Sequence, residues 1–296
     1  TDIDTAANNS DITLNTNTHS LNTLIVESGT GAVDIDETDA LTLQVDSAGD
    51  VTIDSVGALT LNTGSMANLT VTDAASVTDA GSLTVTGTTD IDTSTANGNV
   101  DLSNNTQSLN VFTVAAGTGT VMVDDTDALD LGNITASALT VTAGGAVSDS
   151  GTLTVSGTTD IDTSAGNADI TLNTNTHSLA TLIVDAGTGA VDIDETDALT
   201  LQVDGAGDVT VDSVGALTLN AGSMSNLTVT DATSITDAGA LTVTGTTDLD
   251  TSTANGAIVL DTFTHNLNTF TADAGTGAID IDETDALTLQ VDGAGD

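Results

Sequence analysis

One long internal repeat dominates this sequence. The string Thr-Asp-Ile-Asp-Thr begins at Thr1, Thr89 and Thr159, and it returns at Thr247 with leucine in place of isoleucine. Similar sequence follows each start, so the copies cover residues 1–88, 89–158, 159–246 and, cut short, 247–296. Repetition on this scale predicts a stack of similar units rather than an ordinary globular domain.

The second copy is shorter than the others and shows the size of the smaller unit. Residues 128–151 align without gaps with 58–81, so this copy lacks the counterpart of residues 40–57, which is 18 residues long. A stacked structure keeps its contacts only if whole turns are lost. We therefore expect a coil of about 18 residues, with five coils in an 88-residue copy and four in the 70-residue copy.

Within each coil, apolar residues alternate with polar ones. Leu41, Leu43 and Val45 are an example, and clusters of Gly, Asn, Asp and Ser separate such segments. A period of two with β-branched residues indicates strands. An antiparallel sandwich also has short strands, but its strands differ from one another, whereas these are nearly identical. The prediction is an all-β parallel β-helix, or β-solenoid, continuous over 1–296.

The composition limits the possible functions. The chain has 44 Asp and Glu residues, no Lys, Arg, Cys, Trp or Tyr, and a net charge of −44. Its counter-ions must therefore come from solution, and nucleic acid is excluded as a partner. Without basic or large aromatic side chains to hold a sugar, and without a non-repeating insertion, we expect no enzyme. Because no apolar run reaches about 18 residues, we expect no membrane insertion.

Acidic clusters recur at one place in every copy. Asp34 and Asp36 flank Ile35, so both carboxylates should point outward, and Asp54 should stack beside Asp36 in the next coil. Short carboxylates suit oxygen-rich Ca²⁺ sites, so we expect divalent cations, Ca²⁺ first, at these positions. The alternative is a solvated acidic surface with diffuse ions. The predicted metal-binding residues are Asp34, Asp36, Glu37, Asp39, Asp54, Asp124, Asp125, Asp127, Asp192, Asp194, Glu195, Asp197, Asp280, Asp282, Glu283 and Asp285.

The three histidines occupy equivalent repeat positions. They are His19, His177 and His265, and Gln107 stands at the same position in the short copy. Because glutamine can replace histidine there, we expect a capping or turn hydrogen bond rather than catalysis or a transition-metal site.

Some units resemble a known class of repeats. Residues 127–132 and 138–160 are similar to the repeats of giant filamentous-haemagglutinin-like and autotransporter-like bacterial exoproteins. The resemblance implies a right-handed parallel β-helix in a protein secreted to the cell surface, where such proteins act as adhesins, biofilm components or stalks.

Together these features favour a structural extracellular filament or adhesin shaft. Its expected partners are divalent cations and further copies of itself, joined end to end or laterally. The alternative is a binding module that adheres directly to a surface, a polysaccharide or ice. Outward Thr-Val-Thr triplets, such as 70–72 and 228–230, are the feature that would serve an ice-binding face.

Overall fold

A computed structural model describes residues 1–293, apart from the side chain of Thr18. The chain divides into two compact units, Thr1–Ala143 and Gly144–Asp296. The fold is an all-β parallel β-solenoid with about 15 turns of about 19 residues. This confirms the predicted fold class. In the described residues, no helix is long and apolar enough to cross a membrane.

In the first unit, one 3-10 turn covers Ala6–Asn8 and all other elements are strands. These are β1 (Asp2–Asp4), β2 (Ile12–His19), β3 (Thr23–Glu27), β4 (Val33–Glu37), β5 (Leu41–Ser47), β6 (Asp50–Ser55), β7 (Ala58–Met66), β8 (Asn68–Thr72), β9 (Ser76–Asp79), β10 (Leu83–Asp92), β11 (Val100–Ala115), β12 (Thr120–Asp125), β13 (Leu129–Ala136) and β14 (Ala138–Ala143).

The second unit contains the remaining strands. These are β15 (Val147–Asp149), β16 (Leu153–Asp162), β17 (Ile170–Asp185), β18 (Val191–Glu195), β19 (Leu199–Ser213), β20 (Ala216–Thr230), β21 (Ser234–Asp237), β22 (Leu241–Asp250), β23 (Ile258–Asp273), β24 (Ile279–Glu283) and β25 (Thr288–Gly293).

The alternating pattern of each strand produces the core. In β4, Val33 and Ile35 are buried while Asp34 and Asp36 are half-buried on the outer side. On another side of the coil, Leu24, Leu43 and Leu61 form one column of inward side chains in successive coils. Each fully buried aliphatic side chain contributes about 1.5–3 kcal/mol, so a thin core built mainly of Leu, Val and Ile can stabilise the stack.

Coil length follows from the register of paired strands, which run parallel. Val33 pairs with Val51, and Val51 pairs with Leu69, so these coils contain 18 residues as predicted. Thr89, however, pairs with Phe112, which is 23 residues later. The coils therefore differ in length because their turns differ.

The 88-residue copy covers four and a half coils, so the prediction of five equal coils is wrong. In the first unit, one column of paired residues contains Thr23, Thr42, Thr60, Thr78, Asp101 and Met122. Val111 stands 88 residues after Thr23 and lies between the last two members. It pairs instead with Thr88 and Asp130 in another column. Equivalent positions in these successive copies thus alternate between two columns.

A left-handed turn accounts for the longer coils. Asn97 has φ 54°, and its side-chain Oδ1 accepts the N–H of Thr118 in the next coil at 2.9 Å. Gly117 lies against it with φ 61°, and a Cβ there would stand 2.4 Å from the same Oδ1. Only glycine fits this contact. The same pairing recurs between Asn167 and Gly187.

Candidate functional site

Asp34 and Asp36 lie on the outer face as the sequence predicted, and two pairs of outward aspartates form ladders. Asp36 pairs in register with Asp54, and Asp194 pairs with Asp212. Desolvation by burial, followed by repulsion from Asp36 and Asp73, raises the pKa of Asp54. Desolvation and then Asp212 raise the pKa of Asp194 in the same way. Like charges at one strand spacing repel unless cations or protons lie between them.

Neutral side chains of the preceding coil donate hydrogen bonds to several of the predicted metal-binding aspartates. Asn173 donates from Nδ2 to Asp192 at 2.6 Å, and Ser178 donates to Asp197 at 2.7 Å. In the first unit, Asn15 donates to Asp34, Ser20 to Asp39, Thr106 to Asp124 and Ser108 to Asp127. These oxygens therefore already have protein partners.

Three of the predicted metal-binding acids are buried instead of facing solvent. Glu37, Asp125 and Glu195 are each 1 % exposed, because the strand continues for one more inward position after the outward aspartates. Glu195 accepts the N–H of Leu179 on Oε2 and those of Thr196 and Asp197 on Oε1, at 3.0, 3.0 and 3.1 Å. Backbone amides at a corner already hold these three acids, and cation binding by them stays a prediction.

The same inward capping occurs at the equivalent acids. Glu37 accepts the amides of Leu21, Thr38 and Asp39. Asp125, which is one carbon shorter, accepts those of Leu109 and Asp127 at 2.7 and 2.9 Å. Half-buried Glu283 accepts the amides of Leu267, Thr284 and Asp285. A fixed acid at this position closes the corner of the coil.

A second buried polar group lies beside the acids Asp125, Glu195 and Glu283. His177 is 0 % exposed and pairs in register with Glu195. Its Nδ1 accepts the N–H of Leu153 at 3.1 Å, which confirms the predicted capping role. Because Nδ1 is an acceptor, the ring proton of the neutral imidazole is on Nε2. That nitrogen stands 3.7 Å from Oδ2 of Asp149 and has no hydrogen-bond partner.

The aspartate in this cluster is buried as well. Asp149 is 4 % exposed and accepts the amides of Thr174 and Asn175 at 3.1 and 2.8 Å. We call each set of buried aspartate, histidine or glutamine, and capping acid a polar corner. The three polar corners are Asp79–Gln107–Asp125, Asp149–His177–Glu195 and Asp237–His265–Glu283.

In the first unit, Gln107 accepts the backbone amide that histidine accepts in the second unit. Its Oε1 accepts the Leu83 N–H at 2.7 Å, and its Nε2 donates to Asp79 at 3.1 Å. His265 likewise accepts the Leu241 N–H at 3.1 Å beside Asp237. The sequence showed the exchange of His for Gln, but the buried aspartates were missed. Their inward position in β9, β15 and β21 was the available signal.

Burial shifts the ionisation of these corners. Desolvation raises the pKa of Glu195 to about 7, against the lowering effect of its three amide donors. Desolvation also raises the pKa of Asp125. For His177, desolvation lowers the pKa more than the nearby Asp149 carboxylate raises it. The corners are therefore costly places for charge, as expected for buried ionisable groups.

Within residues 1–293, no three His, Asp or Glu side chains are grouped so that they could hold one ion. The outward aspartates at 34, 36, 39, 54, 124, 127, 192, 194, 197, 280, 282 and 285 thus form ladders and single positions, and their cation binding stays a prediction. Over the same residues no pocket is found.

Comparison with known proteins gives one match. Residues 48–116, 118–186 and 206–274 each match the model of a family described as repeats of unknown function (DUF5649). No curated protein and no solved structure matches the chain.

Proposed function

The chain belongs to the family of repeats of unknown function (DUF5649), and we propose that it is a segment of an extracellular structural filament or adhesin shaft. The observation that carries this proposal is the register of the coils. In each unit, strand after strand pairs in parallel with its neighbour, and the outward side chains are mainly Asp, Thr and Asn. Such a stack supplies length and a uniform acidic surface.

The natural loss of one coil supports a role in which length matters more than a particular site. The segment 40–57 is one coil, because Leu41 pairs with Leu59, and the second copy lacks its counterpart. A coil can be removed in this way while the neighbouring strands keep their columns. The resemblance to filamentous-haemagglutinin-like and autotransporter-like exoproteins supports the same role at the cell surface.

Cations from solution are part of the proposal. With a net charge of −44 and no Lys or Arg, the ladders can be neutralised only by external cations or protons. Divalent ions such as Ca²⁺ would collect along the outward aspartates without a fixed cage. Millimolar Ca²⁺ should therefore raise the melting temperature, followed by circular dichroism, above that in NaCl of equal ionic strength.

A matched pair of variants tests the ladder. Asp54→Asn removes one member of the Asp36–Asp54 pair, and Asp46→Asn removes the same charge from an exposed residue that contacts Gln44. We expect Asp54→Asn to reduce the Ca²⁺ effect more than Asp46→Asn does. Equal effects would contradict a role for the ladder.

Localisation is tested on intact producing cells with an antibody raised against the chain. The proposal predicts labelling of unpermeabilised cells and thin filaments in negative-stain electron micrographs of the labelled material. Labelling only after permeabilisation would contradict it. The control is a known intracellular protein, which must stay unlabelled on intact cells.

Direct adhesion to an ordered surface is the second candidate, and a column of threonines favours it. In the second unit, hydroxyl side chains follow one another at strand spacing in the column Thr158, Thr181, Thr200, Thr218 and Thr236. Thr200→Val with Thr218→Val should abolish inhibition of ice growth if this column binds ice. If the wild-type chain has no effect on ice growth, this candidate is wrong.

A further inference from the structure

The polar corners use histidine in the second unit and glutamine in the first, although both side chains hold the same backbone group. Gln107 accepts the Leu83 N–H through an amide oxygen, which does not titrate. His177 accepts the Leu153 N–H through an imidazole nitrogen, which can accept only while it is unprotonated. The two corners therefore differ in their response to acid.

We propose that the His177 corner is a pH-sensitive contact, which releases the first amide of β16 when the imidazole takes up a second proton. An imidazolium ring carries N–H groups on both nitrogens, so Nδ1 would then oppose the Leu153 N–H as donor against donor. The ring is fully buried, so Leu153 regains a partner only if the corner opens.

The charged groups around the ring set the direction of the effect. Asp149 of β15 faces Nε2, and Glu195 of β18 is the register partner of His177. The contact from β16 is the Leu153 amide, which is uncharged. Strand β19 pairs with residues 181–185 of β17 and so lies further along that strand than His177. Asp149 favours the imidazolium form, and burial opposes it.

Burial prevails for His177, whose pKa is lowered by desolvation in spite of Asp149. A histidine whose pKa is lower when folded binds its proton more readily when unfolded. Its contribution to stability is complete above about pH 6.5 and decreases as the pH falls below that value.

The second unit contains the same arrangement twice. His265 accepts the Leu241 N–H at 3.1 Å, and its Nε2 stands 3.4 Å from Oδ2 of Asp237. Both Nε2 atoms are buried without a hydrogen-bond partner. Because Leu153 and Leu241 begin β16 and β22, the two histidine corners hold equivalent strands.

Hydrogen exchange of the whole chain, followed by mass spectrometry at about pH 7.5 and about pH 5.5, tests the proposal. After correction for the intrinsic exchange rate, peptides that contain Leu153 should exchange faster at the lower pH, by up to about tenfold, which is the most that one histidine with a pKa of about 6.5 in the open state can give. Peptides that contain Leu83 should not change. His177→Gln, which copies Gln107, should remove the effect at Leu153, and Gln107→His should transfer it to Leu83.

Labelling with ¹⁵N-histidine provides a second readout on the unmodified chain, which has only three histidines. At neutral pH, His177 should show an unprotonated Nδ1 and a protonated Nε2, and its titration should coincide with the faster exchange at Leu153. The proposal is overturned if His177→Gln keeps the wild-type acid response at Leu153. It is also overturned if His177 titrates while the Leu153 amide stays protected.

Discussion

Replacing Glu195 by alanine would remove the acceptor for three backbone amides at one corner. The Leu179 N–H is buried, and leaving it unsatisfied costs about 1–3 kcal/mol. The amides of Thr196 and Asp197 are partly buried and lose about 0.5–1.5 kcal/mol each. Relief from burying the carboxylate offsets part of this cost, so we expect a loss of about 2–4 kcal/mol at neutral pH.

Aspartate at the same position is the matched control. Asp125 is the natural equivalent, and it retains the bonds from Leu109 and Asp127. Glu195→Asp should therefore keep two of the three bonds and lose about 1 kcal/mol. Urea unfolding followed by circular dichroism measures both losses, once in Ca²⁺ and once with a chelator.

The two roles of Glu195 give different results in this assay. If Glu195 only caps the corner, Glu195→Ala should reduce the free energy of unfolding by the same amount with and without Ca²⁺. A loss that appears only in Ca²⁺ would show that the side chain acts through a bound ion. A loss below about 0.5 kcal/mol in both conditions would refute the reasoning about its three amide bonds.

Three further predictions concern ionisation, packing and coil length. Burial raises the pKa of Glu195 from 4.5 to about 7, so folding takes up a proton as the pH falls through this range. The free energy of unfolding of the wild type, measured in urea, should therefore increase relative to that of Glu195→Ala by up to about 3 kcal/mol as the pH falls to 4.5. Phe112 is 0 % exposed, so Phe112→Ala should lower the free energy of unfolding by about 3–5 kcal/mol in the same assay. Phe112→Leu should lower it by only about 1 kcal/mol, because leucine stands at the equivalent position of the first copy, Leu24. Deleting 40–57 should leave the circular dichroism per residue unchanged, whereas deleting 40–48 should reduce it, because only the first removes a whole coil.

Much of the fold could be predicted from alternation in the sequence. Leu41, Leu43 and Val45 point inward as expected, and the gap at 40–57 correctly indicated an 18-residue coil. Equal coils could not be assumed, because the turn at Asn97 adds residues that leave the strand pattern untouched. Turn length depends on left-handed backbone and cross-coil contacts, which the spacing of apolar residues does not report.

The candidate site was less predictable. The pattern placed Asp34 and Asp36 on the outer face correctly, but the same alternation also places Glu37 inside, where composition alone suggested a surface ligand. Whether a buried acid is a ligand or a cap depends on which amides the corner presents. Those amides belong to residues such as Leu21, 16 positions earlier, and are visible only in the folded chain.

Disulfide trapping tests the coil architecture most directly, because the chain has no cysteine of its own. Asp90 pairs with Thr113, while Ser108 pairs with Thr84, and register partners in parallel strands lie within the Cα distance that a disulfide needs. The solenoid described above predicts that Asp90→Cys with Thr113→Cys oxidises readily and that Asp90→Cys with Ser108→Cys stays reduced. Oxidation of the second pair and not of the first would indicate uniform 18-residue coils and contradict it.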